Sequence, residues 1–273
     1  MSEKIIIVCE FEPFLTELLA VLKQRFANSS KYQFFGLAAA DKAETATAGA
    51  RNALQKGEIL LSGAGPMAKV SPLMPNLKWA HSTWAGVDTL FHPAPAFLTK
   101  PSWTLTRAAS YMGDFMAEYV VAQIISWERR FLKQYEAQNM KKWRFVEFTC
   151  QRPMDDLTIT IVGSGDIGRR VSRACKHFGM TVYGIGRSSE PRVPCEAVDK
   201  YGNGWISGAI LDVFECEPLP ESSALWHHPK IVITPHVSAM SNAKKTVDVF
   251  NENLELFESG KPLKHLVDWN QQY

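Results

Sequence analysis

Apolar positions along this chain alternate between short continuous runs and longer segments with helical spacing. IIIVC, which begins at Ile5, is a run typical of a strand buried on both faces. PFLTELLAVLKQRF, which begins at Pro13, has apolar residues three and four apart, and a proline fits the first turn of a helix. Further apolar runs are YQFFGL, EILLSG and LKWAHS, separated by alanine-rich or leucine-bearing segments. The alternation predicts a parallel sheet flanked by helices.

The same alternation starts again in the second half of the chain, after a connector that contains Pro93, Pro95 and Pro101. The strands predicted there are LTITIV and MTVYGIG, with a glycine-rich turn and a helical segment between them. The sequence therefore predicts two α/β units in tandem, joined at about residue 100.

One long helical segment is predicted from about Asp114 to about Trp143. Its apolar residues cover more of the surface than a helix with one buried stripe requires, so we expect it to bury a second face. A two-fold interface between subunits is one explanation, and on this ground we expect a homodimer. The alternative is a helix packed between two domains of the same chain.

A glycine-rich turn in TITIVGSGDIGRRV follows a predicted strand and opens a predicted helix. Its GxGxxG spacing allows a tight turn, close approach of a pyrophosphate to the backbone, and close packing of helix on strand. The helix start adds amide donors and positive potential. We therefore predict cofactor binding here, the alternative being a turn that only packs a helix on a strand. The residues concerned are Gly163, Ser164, Gly165, Asp166, Ile167 and Gly168.

The end of the next strand selects between the two nicotinamide cofactors. An NAD site needs an acidic residue about 20 positions after the turn, to bind the ribose hydroxyls. This chain has GIGRSSEPR there, which offers Arg187, Ser188 and Arg192 instead of a carboxylate. A guanidinium suits a 2′-phosphate, so the sequence favours NADP over NAD. The alternative is that Arg187 is an ordinary solvated loop residue.

Composition and charge exclude several classes of protein. The net charge of +2, with acids and bases interspersed, gives no basic stripe for nucleic acid. No apolar run approaches the ~18 residues that span a bilayer, and MSEK is too short for a signal peptide. Cysteines are odd in number without a CxxC pair, which favours free thiols and a cytoplasmic location. His227 and His228 lack a third ligand, so we expect no metal site.

Five motifs together carry a resemblance to a known family. They are LKWAHSTWAGVDTLF, TLTRAASYMGDFMAEYVVAQII, GSGDIG, GAILDVFECEPLP and VITPHVSA. In this order they resemble the D-isomer-specific 2-hydroxyacid dehydrogenases, and among these the glyoxylate/hydroxypyruvate reductase-like subgroup. The resemblance implies an α/β protein with a flavodoxin-like substrate domain, residues 1–104 completed by 241–273, and a Rossmann-type NAD(P)-binding domain, residues 105–240. The implied substrate is a small 2-keto or 2-hydroxy acid.

The resemblance also implies two catalytic side chains. His236, in VITPHVSA, takes the position of the family's catalytic histidine, and Glu217, in FECEP, that of its glutamate. A histidine can give a proton to a ketone oxygen, and a carboxylate on its other nitrogen fixes the tautomer. Without the resemblance, His236 is equally a strand-end histidine bonded to a backbone group, and Glu217 a solvated loop acid.

A second implied site is the STWAGVD turn. The backbone amides of Ala85, Gly86 and Val87 take the position of the family's cradle for the substrate carboxylate. Main-chain donors at a helix start suit an anion whatever their side chains. The alternative is a simple turn with Asp88 as a local cap.

The family pattern is incomplete between Arg187 and Ile206. The intervening SSEPRVPCEAVDKYGNGW contains no apolar strand, where the family has two further βα units of about 50–60 residues, at ~30 per βαβ unit. We therefore predict a contracted Rossmann-type domain that lacks these two central units, cut at about 200–204. The strand before the glycine turn then pairs directly with the GAILDVF strand. The alternative is a sheet completed by a second subunit.

The missing segment also held the family's catalytic arginine, which sits in an INVGRG-like motif. Without it, we expect a strongly impaired activity and weakened or lost cofactor binding. Arg107 and Arg129 are possible substitutes, but each takes the position of a structural arginine in the family. The alternative function is a non-catalytic dimeric scaffold, or a splice or deletion variant without activity.

Overall fold

The computed structural model describes residues 4–39, 47–91, 97, 99–186 and 209–270. It divides the chain into two compact units, Met1–Ala109 with Ser241–Tyr273, called unit 1 below, and Ser110–Met240, called unit 2. The boundary expected from the sequence, between 104 and 105, lies slightly earlier in the chain. Arg187, Ser188 and Arg192 lie outside the described residues, as does the predicted cut at 200–204.

The elements follow the predicted alternation of strands and helices. The strands are β1 (Lys4–Glu10), β2 (Tyr32–Ala38), β3 (Ile59–Ser62), β4 (Trp79–Ser82), β5 (Thr104–Arg107), β6 (Thr158–Val162), β7 (Thr181–Ile185), β8 (Ala209–Leu211) and β9 (Ile231–Ile233). The helices are α1 (Phe14–Arg25), α2 (Ala48–Lys56), α3 (Ala64–Val70), α4 (Tyr111–Arg129), α5 (Phe131–Asn139), α6 (Asp166–His177) and α7 (Ala243–Glu258). The strands named here pair with one another in parallel, which confirms the α/β class.

The described residues of unit 1 form a five-stranded sheet in the order β2-β1-β3-β4-β5. Because successive side chains of a strand point to opposite faces, each strand feeds two apolar layers. One layer includes Ile7 and Leu60 and packs against α2 and α3. The other includes Leu61 and Trp79 and packs against α1 and α7, with Trp79 stacked on Phe250 at a centroid distance of 5.1 Å. The last helix of the chain thus belongs to the core of unit 1.

Unit 2 is built around α4 and α6, which pack on the sheet formed by β6 and β7. β8 and β9 form a separate two-stranded sheet, so the expected pairing between the strand before the glycine turn and the GAILDVF strand is wrong for the described residues. The physical reason lies in α4. Tyr119 of this helix contacts Thr234 after β9 at 2.7 Å, while Val121 packs in the cluster under β6 and β7. Each strand pair is therefore held separately on the same helix.

The single long helix predicted from about Asp114 to about Trp143 is also incorrect, since α4 ends at Arg129 and α5 begins at Phe131. Arg130 between them has φ +55°, the left-handed conformation that commonly ends a helix. Its amide still donates to the carbonyls of Ser126 and Trp127. Because glycine usually occupies such a position, the residues here carried no stop signal.

Candidate active site

The STWAGVD turn leaves the carboxyl end of β4, the edge where ligands bind in open parallel sheets. Its beginning is fixed by Ser82, whose hydroxyl donates to the Trp84 carbonyl (3.0 Å) and accepts from the Trp84 amide (3.1 Å). Its end is fixed by a short 3-10 turn, in which the Leu90 amide donates to the Val87 carbonyl at 2.9 Å. The middle of the turn is therefore held between two ends that are fixed by hydrogen bonds.

Three consecutive amides lie in that middle. Those of Ala85, Gly86 and Val87 donate to no other group within the described part of the chain. A Cβ on Gly86 would stand 2.9 Å from the carboxylate of Asp88, so a side chain there would have to displace Asp88. Successive amides without internal partners form a concave donor set that suits a carboxylate or a similar anion.

Beneath this turn lies Glu10, a carboxylate only 2% exposed at the end of β1. It accepts hydrogen bonds from the hydroxyl of Thr83 and, at 3.1 Å, from the amide of Phe11. Burial raises the pKa of Glu10, although these hydrogen bonds act in the opposite direction. A Cβ at Gly63 would approach Glu10 and the Trp84 ring to 2.8 Å, which explains the glycine. Glu10 was not identified from the sequence. The signal available there is a single acidic residue at the end of the apolar run IIIVC.

The glycine turn of unit 2 fits the phosphates of a dinucleotide. Gly163 has φ +105°, and a Cβ at Gly163 or Gly165 would meet nothing within 4 Å, so the turn leaves open space. A Cβ at Gly168 would stand 2.0 Å from the Gly163 carbonyl oxygen, so only glycine allows this approach of helix to turn. α6 begins here, and its first amides have no partners within the helix. The other residues predicted for this site, Ser164, Asp166 and Ile167, are exposed on the same turn.

His236 and Glu217 come together in the loops that follow β9 and β8. Nδ1 of His236 lies 2.7 Å from Oε2 of Glu217, and the amide of Phe214 donates to Oε1 at 2.8 Å. The hydrogen bond from His236, followed by that from Phe214, lowers the pKa of Glu217. An ionised carboxylate only accepts hydrogen bonds, so Nδ1 carries the hydrogen and Nε2 is the nitrogen available for proton transfer.

The backbone at His236 is held in an unusual conformation by Asp212. His236 has φ +54°, which costs a non-glycine residue about 1–2 kcal/mol. Its amide donates to the main-chain oxygen of Asp212 (2.9 Å), and the amides of Val237 and Ser238 donate to the Asp212 carboxylate (2.9 and 3.0 Å). Burial alone would raise the pKa of Asp212, but hydrogen bonds from Ser238 and Thr234 outweigh it and lower the pKa. Asp212 therefore stays an ionised acceptor that clamps the loop.

A chain of hydroxyls continues from this clamp to α4. Thr234 donates to Asp212 at 2.5 Å, and the hydroxyl of Tyr119 lies 2.7 Å from Thr234. Since the single hydrogen of Thr234 goes to Asp212, Tyr119 is the donor to Thr234. Sequence reasoning quoted the motifs that contain Asp212 and Thr234 but gave neither residue a role.

Other histidine and arginine side chains make structural contacts. His81 is fully buried in β4, with Nδ1 2.7 Å from the Thr106 hydroxyl, and burial lowers its pKa to about 3. Arg129 donates to the side chain of Gln151. His227 ends a short 3-10 turn. Within the described ranges, no group of three histidine, cysteine, aspartate or glutamate side chains is arranged to hold a metal ion.

Comparisons with known proteins agree with the motifs. The family model for the NAD binding domain of D-isomer specific 2-hydroxyacid dehydrogenases matches residues 121–202 and 195–238. Glyoxylate/hydroxypyruvate reductase A of Escherichia fergusonii is 26% identical over 254 residues, covering 70% of this chain and 80% of that protein. The protein of the same name from Klebsiella pneumoniae is 26% identical over 263 residues, covering 72% and 82%.

Solved structures show the same fold. A D-isomer specific 2-hydroxyacid dehydrogenase family protein from Aeromonas salmonicida is 24% identical, with a TM-score of 0.79 over 98% of this chain and 99% of that one. An NADPH-dependent glyoxylate/hydroxypyruvate reductase from Sinorhizobium meliloti, solved with NADP and sulfate, is 24% identical with a TM-score of 0.74, covering 99% and 100%. None of the described helices is both long enough and apolar enough to span a membrane.

Proposed function

We propose that this chain, a homologue of the D-isomer-specific 2-hydroxyacid dehydrogenases, is an NAD(P)H-dependent reductase of small 2-keto acids whose catalytic step is strongly impaired. The observation that carries the reductase assignment is the 2.7 Å contact of His236 with Glu217 in the unit that also holds the glycine turn. Glyoxylate and hydroxypyruvate, named for the curated relatives, are the substrates we assign. The impairment rests on the missing arginine segment.

Each retained residue has a defined part in this reaction. The amides of Ala85, Gly86 and Val87 bind the carboxylate of the keto acid. When bound, a nicotinamide cofactor supplies the hydride that adds to the keto carbon. The ketone oxygen takes its proton from Nε2 of protonated His236, and Glu217 keeps the second ring proton on Nδ1.

The impairment follows from an internal deletion, for which there are three supports. The E. fergusonii alignment spans 254 positions but covers 70% of these 273 residues, about 191, so about 63 positions lack a residue of this chain. The family model matches in two stretches that overlap at 195–202, a range that includes the start of the proposed cut at 200–204. β6 and β8, which would flank a missing strand, lie in separate sheets. A loss of about 63 residues is the size of two βα units.

The lost segment matters because of its arginine. A guanidinium in that position grips the carboxylate and keto oxygen together and stabilises the charge that develops on the oxygen. Removing one preorganised donor of this kind costs about 3–4 kcal/mol, or ~10²–10³ in rate. The residues that would surround the nicotinamide are lost as well. Their loss lowers the rate further, because hydride transfer depends on close alignment.

A spectrophotometric assay of NADPH oxidation tests the proposal. With glyoxylate or hydroxypyruvate we expect turnover at least about a hundredfold below that of intact relatives, and abolished by His236→Gln. Arg152→Gln, which removes an exposed arginine paired with Glu128, is the matched control and should leave the rate unchanged. Turnover within tenfold of the relatives would refute the impairment, and turnover indifferent to His236→Gln would refute the assigned acid.

The two halves of the dinucleotide should bind with different strength. The glycine turn, which holds the pyrophosphate, is intact, whereas the nicotinamide half depended on the deleted units. We therefore propose weak binding, with NADP favoured over NAD through Arg187. In calorimetric titrations, 2′-phospho-ADP-ribose should bind about as well as NADPH. A hundredfold advantage for NADPH would mean that a nicotinamide pocket is present, contrary to the deletion argument.

A second candidate function is a non-catalytic dimeric scaffold, favoured by the same missing arginine. The observation for a dimer is an apolar groove of about 400 Å³ on α4 and α6, lined by Ala117, Glu118, Val121, Ala122, Ile125, Ala174 and Phe178. Trp127, Phe131 and Tyr135 follow along the chain and are 44%, 49% and 61% exposed. Apolar surface of this kind marks an interaction site, and a two-fold mate presents the same surface in return. Light scattering should give about twice the 30.6 kDa chain mass, and a monomer at micromolar concentration would exclude this dimer.

A further inference from the structure

We infer that Arg107 is the positioning residue of the carboxylate cradle, meaning the amides of Ala85, Gly86 and Val87, and that it acts by orienting the Gly86 amide. This inference rests on the proposed function, because it presumes that the cradle binds the substrate carboxylate. It assigns to Arg107 a role that is exerted through a backbone group of the cradle. The key contact is the hydrogen bond from Nη1 of Arg107 to the carbonyl oxygen of Ala85, at 2.8 Å.

The geometry of one peptide group carries the argument. The bond between Ala85 and Gly86 is trans, and in a trans peptide the carbonyl and the amide hydrogen point in opposite directions. Because the Ala85 carbonyl points at Arg107, the Gly86 N–H of the same plane points away from the guanidinium. Rotation of this peptide would turn an oxygen into the cradle, where it would repel a carboxylate.

The neighbouring peptides of the turn are fixed by other means. Ser82 holds the Trp84 amide and carbonyl, and the Val87 carbonyl accepts from Leu90 in the 3-10 turn. Between these supports, the Ala85 carbonyl is held by the Arg107 side chain. A peptide beside Gly86 also lacks the steric restraint of a Cβ, so it needs such an anchor more than its neighbours do.

Arg107 is itself held firmly. It is the last residue of β5, directly opposite Ser82 at the end of β4, and its amide donates to the His265 carbonyl at 3.1 Å. Its side chain therefore starts from a fixed point next to the turn. A charged donor also polarises the peptide to which it is bonded, which strengthens the Gly86 N–H as a donor to an anion. This engagement argues against Arg107 as a stand-in for the missing catalytic arginine.

The experiment compares three variants of the full chain, labelled with ¹⁵N. Arg107→Gln removes the charge and the donor fork, and Arg107→Lys keeps the charge and one donor. Arg25→Gln is the matched control, because Arg25 pairs with Asp248 on the surface of the same unit. The first readout is the residual dipolar coupling of the Gly86 N–H, which reports its orientation without any ligand. The second is the dissociation constant of glyoxylate, followed through the Gly86 amide shift.

We expect Arg107→Gln to change the Gly86 dipolar coupling and to weaken glyoxylate binding about tenfold, the loss of one charge-assisted contact. Arg107→Lys should restore most of both, and Arg25→Gln should change neither. An unchanged Gly86 coupling in Arg107→Gln would overturn the positioning role, whatever the ligand does. A changed coupling in a protein whose unaltered form does not bind glyoxylate would leave the positioning role standing and would refute the substrate cradle of the proposed function.

Discussion

The two units of this chain are both parallel α/β structures, but they bury their strands to different degrees. In unit 1, β3 and β4 are buried along their whole length, and two apolar clusters cover the two faces of the sheet. In unit 2, no residue of β8 or β9 is fully buried, and neither strand contributes to the apolar cluster around α4 and α6. Val162, at the end of β6, is 71% exposed.

This difference shows what a parallel sheet requires. Its strands are apolar on both faces and depend on neighbours at both edges and helices above and below. In unit 1 the strand order places β1, β3 and β4 between others. In unit 2 each strand among the described residues belongs to a two-stranded sheet, and such pairs are only marginally stable by themselves. The loss of two βα units that we propose would account for this, since it would expose strands that are interior in the complete domain.

The largest effect that we expect from this contrast is in hydrogen exchange. Amides of β3 and β4 should exchange at least about a thousandfold more slowly than those of β8 and β9, because local opening exposes little buried surface in the latter. Exchange measured by NMR or mass spectrometry on the full chain tests this. Comparable protection of β8 and β9 would mean that their open edge is covered in solution, which is the alternative of a sheet completed by a second subunit.

A matched pair of leucine substitutions sharpens the comparison. Leu61→Ala, in fully buried β3, should lower the free energy of unfolding by about 3–5 kcal/mol, the cost of a core cavity. Leu211→Ala, the same chemical change in half-exposed β8, should lower it by about 1 kcal/mol. Urea denaturation followed separately in the two units measures both. Equal losses would show that β8 is packed in a core of its own.

The sequence foretold unit 1 better than unit 2, for a physical reason. Continuous apolar runs such as IIIVC identify buried strands, and the glycine spacing at Gly163 identifies a turn that only glycine can form. Both are local signals. The prediction that β6 pairs with β8 was wrong for the described residues. Whether two strands pair depends on contacts with helices distant in sequence, such as Tyr119–Thr234, and no local pattern contains such contacts. The break at Arg130 likewise lacked a glycine or proline.

The candidate active site shows the same difference between local signals and contacts distant in sequence. His236 and Glu217 lie in motifs, and the structure brings them together at 2.7 Å. The contacts that support the site were not foreseen, because Asp212 and Arg107 bond to backbone groups distant in sequence, although Arg107 was expected to be structural. A side chain that fixes a loop can be chosen only when its neighbours in space are known.

A smaller effect concerns the pH dependence of unit 1. Burial lowers the pKa of His81 to about 3, from 6.5 when exposed, so below pH 6.5 the unfolded chain binds a proton that the folded chain does not. Stability should therefore fall as the pH falls from 6.5 towards 3, by up to about 1.4 kcal/mol per pH unit from this residue.

The slope of the unfolding free energy against pH measures this contribution. His81→Asn should reduce the slope between pH 6 and 4 by about 1.4 kcal/mol per pH unit, the contribution of one proton, whatever it does to the stability itself. His177→Asn, at an exposed position in α6, is the control and should leave the slope unchanged. An unchanged slope in His81→Asn would show that the buried imidazole takes up its proton in the folded state.

The smallest effect that we predict is at the proposed catalytic pair, His236 and Glu217. The side chains of His236 and Glu217 are 63% and 34% exposed, and ion pairs near the surface contribute little to stability. Glu217→Gln should therefore change the free energy of unfolding by less than about 0.5 kcal/mol, while any residual reductase activity falls. Glu10→Gln is the comparison in unit 1: Glu10 is 2% exposed and bonded to Thr83, so the same change should cost about 1–3 kcal/mol. Thermal and urea denaturation of both variants decide the matter. If Glu217→Gln lowers the free energy of unfolding by more than about 1 kcal/mol, the pair stabilises the fold as buried polar groups do. The proton-transfer role would then need support from kinetics alone.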